Sequence, residues 1–332
     1  MSTKYYYFLL PLFFLSILGC TSPKDNGGQK NNSDEVKVVV LPFLSFAPFY
    51  IAQEEGYFEK QNINFTKVDL QQSAQAIPQL LLGSIDVCAG VLNPSLLNAI
   101  AQGESPKIVA GKGRIAKDAC KDIAILHNPK APVTAWKNAR IAVRPYTFNA
   151  YYLNKVLKEK NLDLSDIEMV QVPWMARIKA IADQSVDMVV TGEPWVKRLV
   201  DEGGAEVLHA AKDILPDMTS AFVFYSQQFM KERPDVANRF MVAYLQGVRQ
   251  FKEGKTERNL EIISKFTKLD GDFLKQTCWL DMHAGGQINK AGVMEYQEWL
   301  SSQGMIEAPI EIAQLWTSQF VEEAVKTINS DK

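Results

Sequence analysis

The order of apolar and polar positions predicts short strands that alternate with helices along most of the chain. Residues 36–41 (VKVVVL) form a nearly continuous apolar run, which is typical of a strand covered on both faces. Pro42 ends this strand, and residues 47–55 (APFYIAQEE) are predicted to form a helix that Gly56 terminates. Because the loop 42–46 lies at the carboxyl end of a strand, where open α/β sheets bind ligands, it is the first candidate site.

The same order of elements recurs in the second quarter of the chain. Over some fifty residues, strands and helices follow one another with similar lengths, although few residues are identical. Three landmark pairs are separated by 103, 102 and 101 residues: Pro42 with Pro145, Val68 with Val170, and Asp86 with Asp187. The repeat predicts two similar α/β lobes. Beyond residues 221–225 the pattern is mainly helical, with an apolar stripe along residues 234–251.

Composition and charge narrow the class of protein. With 332 residues, the chain is long enough for one or two domains with a large core. Its 36 basic and 38 acidic residues leave a net charge of −2, so there is no electrostatic reason to expect a nucleic-acid partner. The three histidines form no zinc-binding motif. We predict a monomer with no metal, no cofactor and no catalytic residue.

The amino terminus has the features of an export signal. Lys4 precedes an apolar segment, residues 5–18, that is too short to span a bilayer comfortably, and residues 1–19 are predicted to be a signal peptide. Residues 17–20 (ILGC) resemble the bacterial lipobox, with isoleucine where leucine is usual, which predicts lipidation of Cys20. The alternative is an ordinary signal peptide. Residues 20–35 are polar and predicted to be a flexible tether, so we expect an exported protein anchored by lipid on the periplasmic or cell-surface face.

The other cysteines do not have the spacing of a metal site. Cys88 lies in an apolar strand segment and is predicted to be a small buried side chain. Cys120 and Cys278 could form a disulfide in an oxidising compartment. Sequence does not show whether these two residues are close in space, so their pairing is left open.

Several motifs, in order, resemble the SsuA/THI5-like (NMT1-like) family of ABC-transporter substrate-binding proteins. They are APFYIA at 47–52 with EGYF at 55–58, GSID at 83–86, SVD at 185–187, GEPW at 192–195, and the segment 229–247. The resemblance covers about residues 36–305. It implies an α/β protein with the type-2 periplasmic-binding-protein fold, in which two lobes with two crossovers enclose a ligand. Lobe I would comprise residues 36–121 and 227–328, and lobe II residues 122–226.

The resemblance also implies a function and two alternatives. Such a protein captures a small solute by lobe closure and delivers it unchanged to an ABC permease with its ATPase. One alternative is a lipoprotein that senses a ligand and signals to a partner. Another is a THI5-like pyrimidine synthase, which uses pyridoxal phosphate and a cysteine-rich motif. The secretion signal and the lack of a cysteine cluster argue against the synthase.

Residues near the carboxyl ends of the predicted strands are the candidate ligand contacts. Asp86 and Asp187 begin their strands, at the opposite end, and are predicted to be structural turn residues. The candidates from the first lobe are Phe43, Ser45, Phe46, Phe49, Asn93 and Arg114, and those from the second lobe are Tyr146, Thr147, Trp174, Glu193 and Trp195.

Each candidate has a structural alternative. Trp195 could stack on a ligand or pack on its lobe, and Glu193 could accept hydrogen bonds from ligand N–H groups or be a solvated turn residue. Ser45 and Thr147 could hold a polar group or only cap helices, and Phe49 could belong to the core.

The predicted ligand follows from residues 146–147 (YT). Sulfonate- and nitrate-binding members of the family tend to have a small Gly-Ser or Gly-Thr pair there. The bulky pair favours a flat, neutral or weakly basic heteroaromatic compound, such as a thiamine-precursor pyrimidine or a riboflavin-like compound. Four cations keep open the alternative of a sulfonate, taurine or nitrate anion: Lys112, Arg114, Arg144 and Arg177.

Overall fold

The structure is a computed structural model that describes Met1 and residues 33–70, 73–131 and 135–330. The chain divides into two units, residues 1–32 and 33–332, and both sheets lie in the second unit. Cys20 and the rest of the predicted signal peptide after Met1 lie outside the described residues, as does most of the predicted tether. Within the described part of the chain, no helix is long and apolar enough to cross a membrane.

The first sheet has five strands in the order β2-β1-β3-β10-β4. Strand β1 pairs in parallel with β2 and β3, and β10 runs antiparallel to β3 and β4. The strands are β1 (Asp34–Val39), β2 (Ile63–Val68), β3 (Val87–Gly90), β4 (Lys107–Arg114) and β10 (Thr219–Tyr225). Val36, Val38 and Val39 are fully buried, which confirms the prediction of a strand covered on both faces.

The second sheet repeats this arrangement with the order β7-β6-β8-β5-β9. Strand β6 pairs in parallel with β7 and β8, while β5 runs antiparallel to β8 and β9. The strands are β5 (Ile123–His127), β6 (Arg140–Ala142), β7 (Glu168–Val170), β8 (Met188–Gly192) and β9 (Glu206–Ala210). Each sheet thus contains one antiparallel strand, β10 in the first and β5 in the second, that the chain forms directly after crossing from the other sheet.

Helices cover the faces of both sheets, and three short 3-10 turns accompany them. The 3-10 turns are Leu44–Phe46, Ser73–Ala76 and Leu164–Asp166. Around the first sheet lie α1 (Ala47–Glu54), α2 (Tyr57–Lys60), α3 (Ile77–Leu81) and α4 (Pro94–Ala101). The second sheet carries α5 (Phe148–Glu159), α6 (Ala176–Ala182), α7 (Trp195–Asp201) and α8 (Ala211–Ile214). The helical carboxyl-terminal part comprises α9 (Gln227–Glu232), α10 (Pro234–Phe251), α11 (Glu257–Thr267), α12 (Gly271–Gln276), α13 (Lys290–Ser302), α14 (Ile312–Leu315) and α15 (Gln319–Ser330).

Two predicted boundaries require correction. The tether was predicted to end at residue 35 and the first lobe to begin at residue 36. In the structure β1 begins at Asp34, because Asp34 and Glu35 already pair with β2. The second lobe was extended to residue 226, but β10 belongs to the first sheet, because it pairs with β3 and β4. The return crossover therefore lies before Thr219.

Asp86 and Asp187 have the structural role predicted for them, and it is the same role in both lobes. The Asp86 carboxylate accepts a hydrogen bond from the backbone N–H of Lys37 at 2.8 Å and contacts Arg233. The Asp187 carboxylate accepts one from the backbone N–H of Arg140 at 2.7 Å. Each aspartate thus ties the start of one parallel strand to its neighbour.

Helices α1 and α10 form the centre of the first lobe. Gly247 of α10 lies so close to α1 that a Cβ atom there would come within 2.2 Å of the Pro48 carbonyl oxygen. Phe49 packs on Tyr244 with ring centroids 4.6 Å apart. The close approach requires glycine at position 247.

The carboxyl-terminal part also contacts the second lobe. On α13, Tyr296 and Trp299 pack against Tyr151 of α5, with ring centroids 5.4 and 5.5 Å apart. Cys120, in the first crossover, forms a disulfide with Cys278, which settles the pairing left open by the sequence. Cys88 is buried, as predicted, and does not take part in this disulfide.

Candidate functional site

A cavity of about 170 Å³ lies between the two sheets, at the carboxyl ends of their parallel strands. Residues from both lobes line it, together with Asp122 at the end of the first crossover. They are Leu44, Ser45, Val91, Asp122, Ile123, Phe148, Asn149, Gly192, Glu193, Ser220, Ala221 and Leu280. Of the predicted ligand contacts, Ser45 and Glu193 are in this set. The antiparallel strands β5 and β10 begin at the same edge, which explains why Asp122, Ser220 and Ala221 join it.

The first-lobe wall of the cavity is built on a buried lysine. Ser45 lies in the 3-10 turn before α1, and the Lys112 ammonium donates to its Oγ at 2.9 Å and its carbonyl oxygen at 3.2 Å. The same Nζ lies 3.7 Å from the centroid of the Phe46 ring. Lys112 therefore fixes the position of the turn that presents Ser45 to the cavity.

Lys112 has an unusual electrostatic environment. It is 1% exposed, and no salt bridge pairs it with a carboxylate among the described residues. Burial lowers its pKa to about 7, and a weaker interaction with the Cys88 thiol opposes this fall. Strand β4 extends to Arg114, so Lys112 lies within the strand. Lys112 consequently points from a strand into the protein interior.

The second-lobe wall carries two carboxyl groups. Glu193 follows β8 and accepts hydrogen bonds from the backbone N–H groups of Lys197 at 3.0 Å and Cys278 at 3.3 Å. Its own backbone N–H donates to the Asp122 carbonyl oxygen at 2.8 Å. Burial, with the charge of Asp122 contributing less, raises the pKa of Glu193 to about 7, and burial raises that of Asp122 to about 6. Both groups therefore exchange protons near neutral pH.

The amino-terminal end of α5 also borders the cavity. Thr147 caps this helix: its Oγ1 accepts from the backbone N–H of Ala150 at 3.4 Å and donates to the Arg144 carbonyl oxygen at 2.8 Å. Phe148 and Asn149, the next two residues, line the cavity instead. Tyr146 is exposed and has a φ of 57°, in the left-handed region. The hydroxyl of Thr147 thus serves as a helix cap.

Trp174 and Trp195 form a stack on the second lobe, outside this cavity. Their rings lie 6.2 Å apart at 20° and are flanked by two guanidinium groups, Arg177 at 4.2 Å from Trp174 and Arg198 at 5.3 Å from Trp195. Trp174 is 41% exposed. It lines a second cavity of about 370 Å³ with Arg144, Gln171, Val172, Pro173 and Arg177. The stacking of Trp195 on a ligand stays a prediction.

The other candidates from the first lobe do not line the interlobe cavity. Phe49 is fully buried in the core of the first lobe, because α1 turns it towards α10. Phe46 is buried beneath Lys112, and Phe43 is exposed at the surface. Asn93 caps α4 by accepting from the backbone N–H of Leu96. Arg114 forms ion pairs with two aspartates beside the crossovers, Asp217 and Asp281.

A family model described as the NMT1-like family matches residues 29–264, which is more than half of the chain. The chain belongs to the NMT1-like family. This membership confirms the resemblance drawn from the motifs.

The NMT1-like chain also has relatives and structural neighbours outside the family model. A protein of Brucella abortus (strain 2308), named only as a binding protein, is 24% identical over 222 residues, which are 66% of this chain and 67% of the relative. The ligand-binding component of an ABC-type import system from Staphylococcus aureus has a TM-score of 0.72 at 15% identity, over 88% of this chain and 99% of the other.

Two further solved structures show the range of proteins with this architecture. The periplasmic aliphatic sulphonate binding protein SsuA from Escherichia coli has a TM-score of 0.68 at 16% identity, over 86% of this chain and 92% of the other. The desulfurization enzyme DSZB has a TM-score of 0.64 at 13% identity, over 89% of this chain and 99% of the other. These neighbours confirm that the NMT1-like chain has the two-lobe binding-protein fold, and DSZB shows that the fold also serves an enzyme.

Proposed function

We propose that this protein is the solute-binding component of an ABC importer. It captures one small solute between its lobes and delivers the solute, chemically unchanged, to a membrane permease with its ATPase. The observation that carries the proposal is the cavity whose wall is shared by both lobes. A solute bound there contacts the two sheets that move apart when the lobes separate, so binding and lobe closure are coupled.

The size and lining of the cavity favour a small flat solute. A volume of about 170 Å³ is close to the roughly 150 Å³ of an engineered protein cavity that binds benzene, which suits a single ring with substituents. Phe148, Leu44 and Leu280 provide apolar surface, and Ser45 and Glu193 provide polar contacts. A single-ring heteroaromatic compound, such as a thiamine-precursor pyrimidine, fits this lining.

An anion is the second candidate, and the cavity beside Trp174 favours it. Arg177 is 95% buried there, with Nε donating to the Val172 carbonyl oxygen at 3.0 Å and Nη1 to that of Val190 at 3.2 Å. Arg144 lines the same cavity. Two guanidinium groups beside an exposed tryptophan are suited to a sulfonate that carries an apolar group. The sulphonate-binding neighbour supports this alternative.

Export and membrane anchoring complete the proposal. We infer that residues 1–19 direct export and that lipids on Cys20 hold the protein at a membrane surface, where a monomer can meet its permease. Mass spectrometry of the mature amino terminus tests this part: an acylated Cys20 is expected, and an unmodified cysteine or a retained amino terminus contradicts it.

A solute-extraction experiment tests the binding function. The protein is incubated with a small-molecule extract, freed of unbound compounds and denatured, and the released solutes are identified by mass spectrometry. Ala221→Leu places three additional carbons in the cavity wall, and Ala291→Leu makes the same change on an exposed position of α13. One solute should be enriched by the wild type and by Ala291→Leu but not by Ala221→Leu. Equal enrichment by all three proteins would contradict the cavity as the binding site.

A further inference from the structure

We propose that the interlobe cavity is chemically polarised and selects a flat solute with a hydrogen-bond acceptor on one edge and an N–H donor on the other. Ser45, positioned by Lys112, donates to the acceptor from the first lobe. Glu193, beside Asp122, accepts from the N–H group on the second lobe. This inference rests on the proposed binding function and specifies the class of its ligand.

The hydroxyl group of Ser45 is oriented by its neighbours. In the described residues its Oγ accepts a hydrogen bond from Lys112, and it donates none to the protein. An ammonium group has only donors, so a protonated Lys112 leaves the Ser45 O–H hydrogen without an internal acceptor. Because Ser45 lines the cavity, this hydrogen is available to an acceptor atom of a solute.

Lys112 acts through Ser45. It is buried behind the turn and is not among the residues that line the cavity. Its Nζ lies within contact distance of the Ser45 hydroxyl, the Ser45 carbonyl oxygen and the Phe46 ring. Among the described residues, the titratable group that acts on its pKa is the Cys88 thiol of β3. We therefore assign Lys112 as a positioning residue, and the contact with solute belongs to Ser45.

The opposite wall offers acceptors. Each carboxylate oxygen of Glu193 takes one backbone N–H bond, from Lys197 and from Cys278, and each retains capacity for another. Asp122 lies at the same wall, 6% exposed. The charge of Asp122 adds to the rise in the pKa of Glu193 that burial causes, and an N–H donor from the solute would stabilise the Glu193 carboxylate. An amino group on a ring meets this requirement.

Four small probes distinguish the hydrogen bond at the Ser45 end of the cavity from the one at the Glu193 end. 4-Aminopyrimidine has both a ring acceptor and an amino donor, pyrimidine has only acceptors, aniline has only the donor, and methanesulfonate is a compact acceptor without a ring. Their affinities are measured by thermal shift and calorimetry at millimolar concentrations. We expect 4-aminopyrimidine to bind about ten- to hundredfold more tightly than each of the others, because losing either hydrogen bond leaves a buried polar group unpaired.

Variants then separate the role of Lys112 from a general effect on folding. Ser45→Ala should weaken 4-aminopyrimidine and pyrimidine about tenfold and leave aniline unchanged. Lys112→Met keeps most of the length of the side chain. In the otherwise wild-type protein it should also weaken 4-aminopyrimidine and pyrimidine about tenfold, but in the Ser45→Ala variant it should cause no further loss of affinity. Lys231→Met, an exposed lysine of α9, is the matched control.

The results distinguish this inference from the binding function itself. Equal affinities for the three rings, or tighter binding of methanesulfonate, overturn the polarised cavity. Additive effects of Lys112→Met and Ser45→Ala overturn the assignment of Lys112. If no probe binds while solute extraction still yields a compound that Ala221→Leu loses, the inference is wrong and the binding function stands. If both experiments fail, both are wrong.

Discussion

The burial of Lys112 makes a prediction that needs no ligand. Burial lowers the pKa of this lysine from 10.5 to about 7, and each pKa unit corresponds to about 1.36 kcal/mol. Between pH 7 and pH 10.5 the unfolded chain holds a proton on Lys112 that the folded chain lacks, so the free energy of unfolding rises with pH in this window. The rise attributable to Lys112 is up to about 5 kcal/mol.

Replacing Lys112 with methionine should remove this contribution. The free energy of unfolding is measured by urea denaturation of wild type and Lys112→Met from pH 6 to pH 10. The variant should be the more stable protein at pH 6, because it no longer buries a charge, and the difference should shrink as the pH rises. Below about pH 7 the difference should be constant, because Lys112 is protonated in both states.

The control for this experiment is Lys231→Met, whose stability should run parallel to that of the wild type at every pH. The difference in the free energy of unfolding between wild type and Lys112→Met should change with pH. If it changes by less than about 1 kcal/mol from pH 6 to pH 10, the assignment of a buried, easily deprotonated lysine is refuted.

Three further predictions concern the framework around the cavity. Replacing Cys120 and Cys278 with serine opens a disulfide that closes a sequence separation of 158 residues, so urea denaturation should show a loss of roughly 2–5 kcal/mol, and an unchanged midpoint would count against a stabilising bond. Gly247→Ala should cost about 1–3 kcal/mol by forcing α1 from α10, whereas Gly271→Ala, with open space at its Cβ, should cost far less in the same assay. Phe49→Ala should cost about 3–5 kcal/mol without changing the affinity of the folded protein for its solute, and a specific loss of affinity in calorimetry would return Phe49 to the binding site.

Local patterns predicted much of the fold. The valine-rich run of β1 indicated a buried strand. The nearly constant offset between three pairs of landmarks, among them Asp86 and Asp187, indicated two similar lobes. Both inferences hold because they depend on contacts between neighbouring elements. The placement of β10 was wrong, since its pairing with β3 and β4 joins segments more than one hundred residues apart along the chain. Residue patterns within a strand do not specify which sheet receives it.

The candidate site was predicted less completely for a related reason. The rule that ligands lie at the carboxyl ends of strands selected Ser45 and Glu193, which line the interlobe cavity, and it also selected helix caps such as Asn93 and core residues such as Phe49. It omitted Asp122 and Ala221, because these residues begin antiparallel strands that enter the sheets after crossovers. The role of Lys112 depends on its depth beneath the Ser45 turn, which is a tertiary property.

The central claim is that one small solute is held between the two lobes and released unchanged. Native mass spectrometry of the folded protein, loaded with the extracted solute, tests it most directly. The account predicts one solute per chain for the wild type and for Ala291→Leu, none for Ala221→Leu, and a released compound with the mass of the one supplied. Occupancy that Ala221→Leu does not reduce, or a released compound of different mass, would contradict it.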